Sequence, residues 1–289
     1  MKKNLAALLL ILITSLTYAQ KQSAENSLLW KISGKDLKEP SYLFGTIHLI
    51  CDEQYFWTDA MKDAFNRTSQ LYLELPMADE GFQMQMMQHI MLTDSAELKD
   101  FFTQEQYDKL DQFFKDTMKA SLSMFSKMKP FGVMSFTMLK LVDCDGKMPV
   151  AYENKLIEYA KNNSIPVKGL ETIEQQMSIF DNMPKDTMAK MVMSTIEDLP
   201  KARAQFRQMM QSYVSQDLSS ILDETLRSPE YAAHLDALLF QRNARWIEPI
   251  LAAAKQQPSF FAVGAGHLPG DKGVIQLLRK KGYKVTPVK

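Results

Sequence analysis

Ser41-Tyr42-Leu43-Phe44-Gly45-Thr46-Ile47-His48 and Ser259-Phe260-Phe261-Ala262-Val263-Gly264-Ala265-Gly266-His267 share one plan: a short apolar run closed by Gly-x-x-His. Short apolar runs stopped by glycine predict buried strands running into loops. In an α/β sheet, ligands gather beyond the carboxyl ends of strands. If the two strands are parallel neighbours, His48 and His267 meet there, although they come from opposite ends of the chain. Glycine before each histidine is expected to free it to enter a cleft rather than a core.

The surrounding sequence completes each unit. Leu28 to Ile32 and Ser41 to Thr46 read as paired strands around a turn marked by Gly34 and Pro40. Thr58 caps a helix to about Asn66, and Leu71 to Leu75 forms the next strand, ended by Pro76. At the other end, Phe260 to Val263, then Gly273 to Lys281, then Tyr283 to Val285 read as strand, helix, strand. Between them lie helical patterns over about 79–143 and 172–257, with a helix over Tyr152 to Asn163 and a strand over Ile165 to Leu170. Thr103 opens one helix, although Glu105 falls one residue short of a strict capping box. These spacings predict an α/β fold: a central mixed β-sheet, strand-helix-strand units at both chain ends, and long inserted helices. Residues 20–289 are expected to form one domain.

Residues 1–19 read as a signal peptide. Lys2 and Lys3 start it, Leu5 to Leu16 form the apolar stretch, and Thr17-Tyr18-Ala19 offers a cleavage site. The apolar run is shorter than the roughly 20 residues a membrane-spanning helix needs. A secreted or periplasmic location follows, without stable membrane insertion. The 34 basic and 34 acidic residues balance, so nothing in the charge suggests nucleic acid as partner. Cys51 and Cys144 could form a disulfide in an oxidising compartment, or remain two buried thiols. A bridge would tie the loop after His48 to the segment around Asp143.

His89 and His234 lie in helical runs and read as ordinary helix residues. Glu74, in Tyr72-Leu73-Glu74-Leu75-Pro76, is the natural companion of the strand-end histidines, because a carboxylate among leucines is costly to bury without a partner. Two His and one carboxylate make a recurring set for catalytic divalent ions, so His48, Glu74 and His267 are candidate ligands for Zn, Mn or Co. A buried Glu paired with Lys or Arg is the plainer alternative. No His-Glu-x-x-His, Gly-x-Ser-x-Gly or Walker sequence is present. The 20 methionines cluster at helical spacing and are expected to fill core; an adaptable apolar groove for a peptide or lipid-like substrate is the alternative.

Several of these segments resemble the TraB/GumN family, which is related to the animal Tiki proteins. The resemblance rests on Tyr42 to His48, the strand ending in Glu74, Gly169-Leu170-Glu171-Thr172 with Gln175, Gln241-Arg242-Asn243, and Val263 to Gly270 followed by Gly282-Tyr283-Lys284-Val285. It implies a mixed α/β fold and a metal-dependent hydrolase site built from both Gly-x-x-His motifs and the glutamate. Tiki members look like metal-dependent proteases, and wider relatives include an esterase and a haem-binding protein. Glu153 stands where the family usually has an acidic residue, with a departure at Ala151-Tyr152 that leaves its role open.

The resulting expectation is an exported metal-dependent hydrolase acting on a peptide or small-molecule substrate. His48, Glu74 and His267 would hold the ion or its water, and Arg242 would stabilise an oxyanion or instead form a structural ion pair with Glu171. Metal-independent hydrolysis with a histidine base, and a haem- or metal-binding protein, are the alternatives.

Overall fold

The computed structural model describes residues 26–227 and 229–289, so the signal peptide expected over 1–19 lies outside them. Its strands are β1 (Leu29–Ser33), β2 (Ser41–Thr46), β3 (Leu49–Ile50), β4 (Gln70–Leu73), β5 (Val150–Ala151), β6 (Val167–Gly169), β7 (Ser259–Gly264) and β8 (Lys284–Val288). Six of them form one mixed sheet in the order β6-β4-β7-β2-β1-β8. The fold is α/β, with helices surrounding this sheet.

β7 inserts between β2 and β4 and is parallel to both. Its register pairs Thr46 with Gly264, so the two strands finish side by side. β1 is antiparallel to β2 and β8, and β6 is parallel to β4. Buried on both faces, the central strands need continuous apolar runs. β2 is buried along its whole length, and Phe260, Phe261, Ala262 and Val263 of β7 are all buried.

Helix α1 (Asp59–Asn66) links β2 to β4, and Thr58 accepts the Met61 N–H at its start. The next helices are α2 (Phe82–Ile90), α3 (Gln104–Phe113) and α4 (Pro130–Met138). At α3 the capping box is complete, because Gln106 rather than Glu105 returns the bond: Thr103 Oγ1 accepts from Gln106 N at 3.2 Å, and Thr103 N donates to Gln106 Oε1 at 2.9 Å. Glutamine serves this position as well as glutamate. α5 (Tyr152–Asn162) precedes β6. Then α6 (Ile173–Asp181), α7 (Lys185–Ile196), α8 (Leu199–Val214), α9 (Leu218–Leu226) and α10 (Gln241–Gln256) lead to β7, and α11 (Val274–Lys280) to β8.

The main core lies on the sheet, where Trp246, Ile250 and Leu251 of α10 pack with Phe44, Phe260 and Phe261. A second cluster sits among the helices and is filled by Met128, Met134, Met188 and Met191 beside Leu98, Leu110 and Phe114. Flexible thioethers suit the uneven gaps between short helices. Met84, Met87 and Met124 instead face solvent. No helix among the described residues is long and apolar enough to cross a membrane.

A small ribbon stands apart from the sheet. β3 pairs antiparallel with β5, Leu49 against Ala151 and Ile50 against Val150. Cys51 is disulfide-bonded to Cys144, with Cα atoms 5.4 Å apart. The bridge therefore ties the loop after His48 to the segment leading into α5.

Candidate active site

The two Gly-x-x-His segments meet at the carboxyl ends of β2 and β7. Their glycines act through close approach, not through unusual backbone angles. A Cβ on Gly45 would stand 2.7 Å from Leu268 Cδ1 and 3.0 Å from Ala265 Cα. One on Gly264 would stand 3.3 Å from Glu74 Oε1. Neither glycine has a positive φ. The missing side chains allow the two strand ends and the carboxylate to pack together.

Glu74 lies one residue beyond β4. Its Oε1 accepts the Gly264 N–H at 2.8 Å, and its Oε2 accepts from Arg242 Nη2 and from Gln176 Nε2. β6 brings Glu171 alongside, because Glu171 N donates to the Glu74 carbonyl at 2.9 Å. Arg242, in the first turn of α10, joins the two carboxylates. Its Nε and Nη2 donate to Glu171 Oε1 at 2.8 and 2.6 Å. Its Nη1 donates to the Leu238 carbonyl at 3.0 Å and to His267 Nε2 at 3.1 Å. With Nη2 also on Glu74, all five guanidinium N–H groups are used inside the protein. None is left for a substrate oxyanion. Burial alone would raise the Glu74 carboxyl, but the Arg242 guanidinium and the Gly264 N–H hold it well below the usual carboxylate range.

His267 is buried, 4% exposed, in a short helical turn three residues past β7. Its Nδ1 lies 2.6 Å from Asn243 Oδ1, and its ring centroid is 4.5 Å from that of Trp246. Asn243 Oδ1 can only accept, so Nδ1 carries the proton and Nε2 accepts from Arg242. Desolvation lowers this imidazole to about 3, the Arg242 charge adding to the effect against the opposing pull of Glu74. It is neutral across the physiological range.

His48, two residues past β2, has a different setting. Its side chain is 72% exposed at the mouth of the cleft, and Nδ1 lies 3.2 Å from Glu153 Oε1. Glu153 is buried at the start of α5 and accepts a second bond from Thr46 Oγ1 at 2.7 Å. The β3–β5 ribbon holds these partners together, since each lies two residues from a paired strand position or nearer. The Glu153 charge raises His48 to about 9, although burial of part of the ring opposes this. Water at the exposed face screens the pair. Burial would raise Glu153, but its bonds to His48 and Thr46 keep it low and ionised. With Nδ1–H given to Glu153, Nε2 is the atom left to the cleft, a donor in the imidazolium and a proton acceptor once His48 loses its proton at alkaline pH.

The chain thus gathers His48, Glu74, Arg242 and His267 around one cleft of about 290 Å³. The donor set was tested against a resident divalent ion. Among the described residues, no three His, Cys, Asp or Glu side chains converge to hold one. The reason is local: although Glu74 Oε1 and His267 Nε2 are 3.7 Å apart, the Arg242 guanidinium bonds to both and neutralises the carboxylate a metal would need, while His48 turns Nδ1 to Glu153. In this arrangement the residues do not fit a resident metal.

Sequence reasoning left Glu153 without a role and missed Thr46, Asn243 and Gln176 as partners. Asn243 follows Arg242 directly, so one helical turn supplies the groups that bind both ends of the His267 ring. The buried face of α5 was the available signal for Glu153. His89 lies on α2 and His234 lines a separate polar hollow beside Arg245.

A family model described as TraB/PrgY/gumN matches residues 28–287. Metalloprotease TIKI1 of Danio rerio is 26% identical over 318 residues, covering 91% of this chain and 63% of that protein. Metalloprotease TIKI1 of Homo sapiens is 25% identical, covering 92% and 62%. An uncharacterized protein of Treponema pallidum is 20% identical over 280 residues, covering 90% of this chain and 82% of its own length. The chain spans less than two thirds of the length of these TIKI1 relatives. No solved structure gives a significant match.

Proposed function

From its place in the TraB/PrgY/gumN family, to which this chain belongs, we propose that it is a hydrolase of peptide bonds whose water is activated by His48. One observation carries this reading. Among the imidazole, carboxylate and guanidinium groups lining the cleft, His48 alone leaves an atom, Nε2, without a protein partner: Glu74 is bonded at both oxygens, His267 at both nitrogens and Arg242 at every N–H.

Glu153 fixes the His48 ring and steadies the imidazolium that forms, as a carboxylate does beside a general base. His48 Nε2 takes a proton from water while the water oxygen bonds to the substrate carbonyl carbon. The imidazolium then returns that proton to the departing nitrogen as the C–N bond breaks. Arg242, Glu74 and His267 form the fixed floor against which the carbonyl is placed. The relatives' names, Metalloprotease TIKI1, support peptides as the substrate class.

Those names also support an ion-dependent form of the same reading, with His48, Glu74 and His267 as ligands to Mn, Co or Zn. Arg242 would first have to leave Glu74 and His267. Hydrolysis of a mixed peptide library by the purified protein, before and after exhaustive chelation, separates the two. Full activity after chelation supports the His48 route; activity lost on chelation and restored by one ion overturns it. We further propose export, supported by the leader pattern of residues 1–19 and the Cys51–Cys144 bridge. N-terminal sequencing of secreted protein tests it: a start near Gln20 is the expected result.

A further inference from the structure

The floor of the cleft is polar, but much of its remaining wall is apolar. Met209 and Tyr213 of α8, Ile221 of α9, and Leu235, Leu238 and Leu239 before α10 line it, beside the hydroxyl-bearing Thr225 and Tyr231. Met209 and Leu239 are half-buried, yet neither belongs to any of the packed apolar clusters of the described residues. Both line the cleft instead. Apolar surface left in this state beside convergent polar groups is the usual make-up of a ligand site.

Resting on the hydrolase reading, we propose that this wall is a side-chain pocket that selects an uncharged apolar residue, of leucine, methionine or phenylalanine size, beside the bond to be cut. Three observations define the occupant. The volume, about 290 Å³, is at or below the lower end of ligand pockets, so it suits one large side chain with its adjoining peptide group rather than a macrocycle. The wall offers no charged group, so a lysine or aspartate side chain would be desolvated without a partner. Arg242 gives an acidic side chain no anchor, because Glu74 and Glu171 already neutralise it. Continuity with the floor places the pocket next to His48 rather than at a remote subsite.

The test uses doubly blocked tripeptides, Ala-X-Ala with X as Leu, Phe, Ala, Lys or Asp. Binding is measured by calorimetry to the full chain carrying His48→Ala, and turnover with the unaltered protein. Leu and Phe peptides are expected to bind at least about tenfold more tightly than Ala, the scale set by added methylenes in an apolar pocket. Lys and Asp peptides are expected to bind no better than Ala. Met209→Phe and Leu239→Phe should fill the hollow and remove the advantage of Leu and Phe, with unchanged melting as the control for folding. If either variant fails to fold, the peptide series alone decides. Equal binding of Leu and Ala, tighter binding of Lys or Asp, or no binding by any peptide overturns the pocket. Apolar preference in binding without any turnover upholds the pocket and overturns the hydrolase reading. Turnover without preference does the reverse.

Discussion

The two Gly-x-x-His segments are alike in sequence and unlike in environment. Both end parallel, hydrogen-bonded neighbours, yet His48 stands in water at the cleft mouth and His267 is sealed beneath it. A carboxylate holds the first and raises it; an amide, a guanidinium and an indole surround the second, whose desolvation lowers it. One motif therefore yields an exposed imidazole of raised proton affinity in one place and a neutral hydrogen-bond acceptor in the other. The motif delivers an imidazole to the strand end; its neighbours decide what that imidazole does.

This contrast can be challenged at several points. Replacing His48 with Ala should lower peptide hydrolysis by about 10²–10⁴-fold, the range for a lost general base. Melting should move little, because an exposed side chain contributes about 0.5 kcal/mol or less. Undiminished turnover would show that the mouth histidine has no special role. Arg242→Ala should instead act on stability. It leaves Glu74 buried without its cation and Glu171 with only Arg245, 3.7 Å away, at a cost of about 3–5 kcal/mol by chemical denaturation. A variant as stable as the parent would refute the buried cluster as drawn.

Joint replacement of Cys51 and Cys144 by Ser opens a bridge across 93 positions of sequence. The expected loss is about 2–5 kcal/mol. The same variant separates the two segments, since the bridge adjoins the His48 loop only. NMR should show the His48 titration altered and the His267 environment unchanged.

pH supplies the smallest and most selective effect. His48 is raised from its ordinary 6.5 to about 9, so the folded protein binds its proton more tightly than the unfolded chain. The stability this gives is complete below about 6.5 and is lost as pH rises through about 9. His267 is lowered to about 3, so the unfolded chain binds a proton the folded one refuses. Stability from this group is complete above about 6.5 and declines as pH falls toward 3. Hydrolysis should climb from neutral to alkaline pH as His48 loses its proton, and Glu153→Gln should move that rise to lower pH. A rise unmoved by Glu153→Gln would break the link between the pair and the reaction.

Much of the fold was legible in the chain. The β2 run Ser41–Thr46 and the capped helix Asp59–Asn66 stand where alternation and Thr58 place them. Strand ends were less legible: Leu71 to Leu75 reads as one strand, but β4 ends at Leu73, and Glu74, still held through its carbonyl by Glu171, lines the cleft with its side chain. For the site, two histidines announce themselves by repetition, whereas Glu153 shows only its place on the buried face of a helix and Asn243 no local sign of its partner. Each is defined by a partner far away in sequence, which a short window does not contain.

The sequence by itself determined the six strands of the main sheet, the glycine-marked ends of β2 and β7 and the family, because these depend on local periodicity and on residues in fixed order. The short β3–β5 ribbon it did not show. Only the tertiary structure decided that β7 lies between β2 and β4, that Arg242 bonds to both Glu74 and His267, and that Glu153 reaches His48. The physical reason is that proton affinity and free hydrogen-bonding capacity depend on burial and on nearby charge. Both are set when distant segments pack, so two identical motifs could acquire opposite electrostatic characters.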